Sequence, residues 1–220
     1  MSEWDFSFLL RRYHVILDGL YGTLALAAVT LAVSLLLGII AGMGRTSRSA
    51  TLRAAATCYV EFFRNIPALV QVFWFFYVFP ILTGIQENPF ISAATALSFY
   101  SGAFFAEIYR SGIQSIERSQ WDAGKALGFG YFRTMRYVVL PPAIKRMIPA
   151  LTNQSIEVVK LTTVASTIAY HELLYQGQLL SQTEFRPLES YTVVAAILIG
   201  ILVLLSYGST RLERRLARSE

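Results

Sequence analysis

Residues 20–43 contain no charged side chain and only small or apolar neighbours for Tyr21, Thr23, Thr30 and Ser34. A helix rises about 1.5 Å per residue, so roughly 20 such residues cross a hydrocarbon core about 30 Å thick. Backbone in lipid must satisfy its own hydrogen bonds, which makes a helix the expected form of this run. Four further segments repeat the pattern. Residues 54–82 are interrupted by Glu61, Arg64 and Pro67 and then run aromatic through Phe79. Residues 90–109 are rich in Ala, Ser and Gly, residues 148–170 hold Asn153, Gln154, Glu157 and Lys160, and residues 191–207 are uncharged. The expected fold is all-α, a polytopic membrane protein with about five transmembrane helices in one domain over residues 1–220. Only 15% of the chain is charged, against about 25% in soluble domains, so the apolar excess needs a solvent other than water.

The basic residues orient those spans. Arg45, Arg48 and Arg53 follow the first; Arg110, Arg118, Lys125, Arg133, Arg136, Lys145 and Arg146 follow the third. Arg211, Arg214, Arg215 and Arg218 follow the fifth, whereas the alternate segments hold only Arg11, Arg12 and Arg186. By the positive-inside rule the N-terminus is expected outside and the C-terminus in the cytosol, as an odd number of spans requires. The net charge of +5 is spread between spans, so no nucleic-acid partner is expected, and membrane lipid is. One cysteine, Cys58, excludes an internal disulfide, and His14 and His171 form no ligand pair, so no metal site is expected. Glu3, Trp4 and Asp5 do not make a signal-peptide start, and none is expected. Residues 1–18 read as interfacial, and residues 83–89 as a short outside turn. Residues 171–190 fit either a short helix or plug touching a soluble partner, or a solvated connector.

The polar, basic segment at residues 110–147 is long for a loop between spans. Residues 120–127 have helical propensity, with Asp122 near the start, where a carboxylate suits the helix dipole. Gly128 and Gly130 can end that helix in a left-handed turn. Residues 132–140 read as a second helical piece, stopped by Pro141. Read alone, this is either a surface connector or a helix–Gly–helix unit resting on another protein.

Its residues resemble the "EAA" loop of bacterial ABC-importer permeases: Asp122, Ala123, Gly124, Ala126, Leu127 and Gly128, then Leu140, Pro141 and Pro142. Asp122 stands for the usual Glu, and Gly124 for the second Ala. EFFRNIPALVQ at residues 61–71 and AFFAEIYRSGIQSI at residues 103–116 resemble segments of the polar amino-acid (histidine/glutamine/glutamate-type) permeases. DGLYGT at residues 18–23 is similar to that family's lead into its first span. NQSIEVVKLTTV at residues 153–164 is similar to its fourth-span core, with Leu161 where the pattern has aspartate. The resemblance covers most of the chain and implies a type I ABC importer permease fold in the bacterial inner membrane. It implies ATPase coupling through Asp122, Ala123, Gly124, Ala126, Leu127, Gly128 and Pro141. The implied partners are two ATP-binding subunits, a second permease (identical or sister), and a periplasmic or lipid-anchored substrate-binding protein. No cofactor is expected in this chain; ATP and Mg belong on the partner ATPase, because the sequence has no Gly-rich loop ending in Gly-Lys-Ser/Thr.

A substrate path is read from polar residues within spans. Ionisable groups inside a membrane cost several kcal/mol unless they face protein or a wet cavity, with values near 2.5–3.5 kcal/mol at a helix centre. Asn153, Glu157, Lys160 and Thr163 share one helix face by their spacing. Arg64 lies one turn before the Pro67 break, where it suits an α-carboxylate. The alternatives are a Glu157–Lys160 pair that neutralises itself at a dimer seam, and a Glu61–Arg64 pair complete in itself. Glu107 and Arg110 read as such a structural pair. The aromatic block Phe73–Tyr77 with Phe79 reads as packing or as the wall of a pocket. Rival functions are a stand-alone secondary carrier or channel, which leaves the loop without a purpose, and an intramembrane enzyme, for which the spans offer no aspartate pair.

Overall fold

A computed structural model describes residues 4–85 and 88–217, and among them every regular element is helical. A short helix, α1 (Ser7–Arg11), follows the stacked rings of Trp4 and Phe6 and buries Phe8. It leads into α2 (Tyr13–Arg45), whose 33 residues give a length of about 50 Å. α2 therefore outreaches the hydrocarbon core.

The Ser49 hydroxyl caps α3 (Ala50–Asn65) by accepting from the Leu52 amide at 3.5 Å. Pro67 then drives Ile66 into an extended conformation (φ −99°, ψ 129°), which ends the helix. Beyond it run α4 (Ala68–Phe73), a π turn (Trp74–Val78) and α5 (Phe79–Thr83). The stretch Ala68–Thr83 lies at 103° to α3, so the single span expected over residues 54–82 is a broken one. The carbonyls freed by the break are taken up: Gln71 Nε2 donates to Phe63 O at 2.8 Å and Ile66 O at 2.9 Å. Of the expected outside turn, Gln86 and Glu87 lie outside the described residues, as do Glu3 and Arg218.

Asn88 Oδ1 caps α6 (Pro89–Gln114) by accepting from the Ile91 amide at 2.9 Å, with Pro89 in the first turn. α6 packs on α2 through small residues. A Cβ added at Gly38 would stand 2.5 Å from Phe105 Cβ, and Thr30, Ser34 and Ser101 are fully buried beside it. Backbones this close gain dispersion contact along the whole seam, as small residues allow in membrane helices. Near the Arg45 end, Glu107 binds both Arg45 and Arg110, and Arg45 lies 3.6 Å from Glu61. That network ties α2, α3 and α6 together and bears out the structural reading of Glu107 and Arg110.

Then come α7 (Arg118–Ala126), α8 (Tyr131–Thr134), a second π turn (Met135–Val139), α9 (Leu140–Leu161) and a 3₁₀ stretch (Thr162–Ile168). Pro141 does not stop the helix, contrary to the sequence expectation. A proline lacks an N–H and pushes away the carbonyl four residues back. The π turn just upstream widens the backbone where those carbonyls lie, so the helical path continues from residue 131 to residue 168. Pro80 is accommodated in the same way by the turn Trp74–Val78.

Residues 171–190 form α10 (Leu173–Glu184) and the start of α11 (Pro187–Ala217), which supports the short-helix reading. Tyr13–Arg45, Pro89–Gln114 and Pro187–Arg211 are long and apolar enough to cross a membrane, and the bent pair makes a fourth if it is one span. α9 is too polar to be counted with them by composition.

Glu172 starts α10 from a fully buried position, accepting from Leu174 N at 2.9 Å and Tyr175 N at 2.7 Å. Burial pushes its carboxyl up to about 7, against the pull of those two amides. A folded value above the unfolded one means that the neutral form is favoured in the fold. Its contribution is whole below about pH 4.5 and is lost as pH rises through about 7. The thermal midpoint of the detergent-solubilised protein should therefore fall between about pH 5 and about pH 8. Glu172→Gln, neutral at every pH and still an acceptor, should flatten that slope; parallel curves for the two proteins would contradict this.

Candidate functional site

The turn after α6 feeds α7, which begins at Arg118 rather than at residue 120. Asp122 therefore lies mid-helix, away from the N-terminal amides, and its partner is not the helix dipole but Lys125 at 2.9 Å. The hydrogen bond and charge of Lys125 hold the Asp122 carboxyl below the usual carboxylate range. The far end matches the expectation. Gly128 has φ +73°, its amide donates to Lys125 O at 2.9 Å, and the Phe129 amide donates to Gly124 O at 3.0 Å. These are the two bonds of a Schellman cap, which needs a left-handed residue where Gly128 stands. No atom lies near a Cβ built at Gly128, so the conformation alone selects glycine within this chain.

The inner edge of α7 is fastened to the helix that follows. Gly124 is buried, and a Cβ there would meet Thr134 Cγ2 at 2.6 Å. Thr134 thus fills the space that an alanine at 124 would need. The Trp121 and Tyr131 rings stack at 6.1 Å. Beneath them Ile116, Val139, Ala143 and Met147 form a small core. The outer edge is bare: Asp122, Ala123, Lys125, Ala126, Leu127 and Gly128 are all exposed, with Phe132 at 84%. Pro141 is exposed at the start of α9, apart from that edge in sequence.

Asn153, Glu157 and Lys160 are exposed together along one side of α9, while Val158, Val159 and Thr162 bury the other. Lys160 Nζ donates to Glu157 Oε1 at 2.6 Å. Thr163 is half-buried, and its hydroxyl donates back to Lys160 O at 2.7 Å. The sequence-predicted line is thus one continuous face, internally paired at Glu157–Lys160.

Arg64 differs from its sequence-based alternative. Glu61 lies against Arg45 rather than Arg64, because the long Arg45 side chain reaches in from the end of α2. The Arg64 guanidinium sits 5.1 Å over the Phe104 ring, and its buried Nε has no hydrogen-bond partner. Tyr100, its ring tilted against that of Phe104 with centroids 4.9 Å apart, lies within electrostatic range of both Arg64 and Glu157. The Tyr100–Phe104 face of α6 therefore links Arg64 to the polar stripe. The sequence reading missed it, although two aromatic residues four apart in a span of small residues were the available signal. The aromatic block after the Pro67 break lines an apolar cavity of about 530 Å³, with Phe62, Trp74 and Phe99 in its wall.

Comparison with known proteins gives this geometry a setting. Residues 34–218 match the family model described as "Binding-protein-dependent transport system inner membrane component". The chain is 36% identical over 213 residues to the probable glutamine ABC transporter permease protein GlnM of Bacillus subtilis (strain 168), covering 97% of this chain and 98% of the relative. It is 34% identical over 215 residues to the glutamine transport system permease protein GlnP of Escherichia coli (strain K12), again covering 97% and 98%. Among solved structures, a crystal structure of an amino acid ABC transporter with histidines superposes with a TM-score of 0.92 at 29% identity. That match covers 97% of this chain and 100% of the other.

Proposed function

This chain belongs to the family of inner-membrane components of binding-protein-dependent transport systems, and we propose a mechanism for it on that premise. It is the permease subunit of an ABC importer for a polar amino acid, and a transport subunit rather than an enzyme. The single observation that supports the coupling mechanism is α7: fastened inward at Gly124 and bare outward from Asp122 to Gly128. In this reading the bare edge rests on a cytosolic ATPase, through Asp122, Ala123, Ala126, Leu127 and Gly128. Pro141 acts indirectly, by holding the widened turn that keeps α8, on which α7 is seated, and α9 on one helical path. Two ATPases bind ATP and Mg, and this chain holds neither. Two permease copies, identical or sister, enclose the path, with a binding protein delivering substrate on the opposite side. The N-terminus lies outside and the C-terminus in the cytosol. α9 crosses as the fifth span, its exposed Asn153–Lys160 side turned to the second copy or to water instead of lipid. Arg64 meets the substrate carboxylate, while Glu157 and Lys160 exchange their mutual pair for contacts with a zwitterion.

Gly128→Asp tests coupling. An aspartate tolerates the left-handed conformation better than most residues, at a cost of roughly 1–2 kcal/mol in this region. Insertion and abundance should therefore stay near normal, while ATP-driven uptake of radiolabelled glutamine by the reconstituted complex falls to background. Normal uptake with the ATPase bound in normal amount would count against α7 as the coupling element.

Lys160→Met tests the path. The complex should assemble, but the rate or selectivity of uptake should change, because Glu157 is left without its cation. If combining Lys160→Met with Glu157→Gln restores wild-type kinetics, the pair is structural and the binding role fails.

A further inference from the structure

A second concavity, of about 490 Å³, opens beside α7 at the ends of α2 and α6, with Arg45, Arg53, Arg118, Trp121, Tyr131 and Ile116 in its wall. Its cations are not equally engaged. Arg45 is held by Glu107 and Glu61, and Arg110 behind it by Glu107. Arg53 donates only to the Ser47 carbonyl, at 3.0 Å, and Arg48 lies 5.4 Å over the Tyr131 ring. None of Arg48, Arg53 and Arg118 has a carboxylate within ion-pair distance among the described residues. Asp122 feels the charge of Arg118 but is bonded to Lys125, and Glu117 next to Arg118 accepts from the Ser119 hydroxyl. The cavity therefore keeps unspent positive charge on one side and aromatic and aliphatic wall on the other.

Its depth narrows the choice of anion. α2 and α6 are two of the helices apolar enough to span, and the cavity lies where both end, at residues 45–47 and 113–116. That is headgroup level, where Trp and Tyr rings are at home and where basic pockets between spans receive lipid phosphates. We propose that this cavity binds the phosphodiester headgroup of an anionic membrane lipid. The phosphate is held by Arg53 and Arg118, with the glycerol side against Trp121 and Tyr131. The bound lipid would brace α7 against the α2–α3 turn. The side of the membrane involved rests on the orientation proposed above; the site itself does not.

The test titrates the purified permease–ATPase complex in detergent with phosphatidylglycerol or phosphatidylcholine of the same acyl chains, counting bound lipid by native mass spectrometry. Phosphatidylglycerol should be retained at one tight site per permease copy, and phosphatidylcholine should not. Each surface arginine adds roughly fivefold to anionic-lipid binding. Arg53→Gln with Arg118→Gln should then weaken retention by roughly 25-fold, whereas Arg53→Lys with Arg118→Lys should keep most of it. Equal retention of both lipids, or phosphatidylglycerol binding unchanged in the Gln pair, would overturn the site. Displacement by millimolar inorganic phosphate would assign it to a free anion and overturn the lipid. Lipid bound by the permease alone but expelled by the ATPase would mean that protein fills the cavity, and would overturn it too. Uptake by the same wild-type complex, assayed in parallel, separates this failure from failure of the importer reading.

Discussion

The seating of Thr134 over Gly124 is the contact on which the rest of the account depends. It is the point where an exposed helix is fastened to the long helical path that follows it. Thr134 belongs to a helical path that runs on through Met135–Val139 and α9 to Ile168, carrying Asn153, Glu157, Lys160 and Thr163. The exposed Asp122–Lys125 pair contributes little to holding α7 there, since exposed charges are well solvated and screened. Packing does it instead: Gly124 against Thr134, and Trp121 stacked on Tyr131, an aromatic contact of about 0.5–1.5 kcal/mol beyond its buried area. In the coupling proposed above, a push on α7 would thereby be delivered to the polar face of α9.

A lever needs a frame. The close seam between α2 and α6 supplies one, with Phe105 resting where a larger residue than Gly38 could not fit. The Arg45–Glu107–Arg110 network with Glu61 fixes the end of that frame nearest to α7. The far end is closed differently. Thr23 Oγ1 accepts from the Leu173 amide at 3.0 Å, and the Tyr170 hydroxyl donates to Gly22 O at 3.0 Å. Those bonds anchor the end of the 131–168 path to α2 and leave the break at Pro67 as the place where the structure opens toward its apolar cavity.

Much of this was legible in the sequence, and the misses have physical causes. The apolar spans of α2, α6 and α11 were readable because hydropathy over twenty residues needs no tertiary knowledge. Gly128 was readable because only a left-handed cap explains a glycine at the end of a helix-prone run. Pro67 was read as an interruption, but its 103° bend depends on Gln71 replacing lost backbone bonds, which no local pattern reveals. Pro141 was misread because the usual consequence of proline is a stop, and a π turn upstream leaves no trace in periodicity. The Glu61–Arg64 alternative does not form because spacing rules see only one helix, while Arg45, the partner of Glu61, comes from another. The burial of Glu172 and the arginine-lined cavity emerge only when separate helices are brought together.

The central claim is that α7 and the 131–168 path move as one body during transport. With Cys58 replaced by serine, Gly124→Cys and Thr134→Cys would place two sulfurs across that contact. A Cβ at 124 lies 3.2 Å from Thr134 Cβ, so a shift of a few tenths of an ångström apart brings the pair into the usual disulfide range of about 3.5–4.5 Å. The decisive measurement is ATP-driven uptake by the reconstituted complex, with this disulfide formed and then reduced. Equal uptake in the two states is the predicted result. Uptake that stops when the bond forms and returns on reduction would show that α7 must swing free of the helix, and would contradict the account.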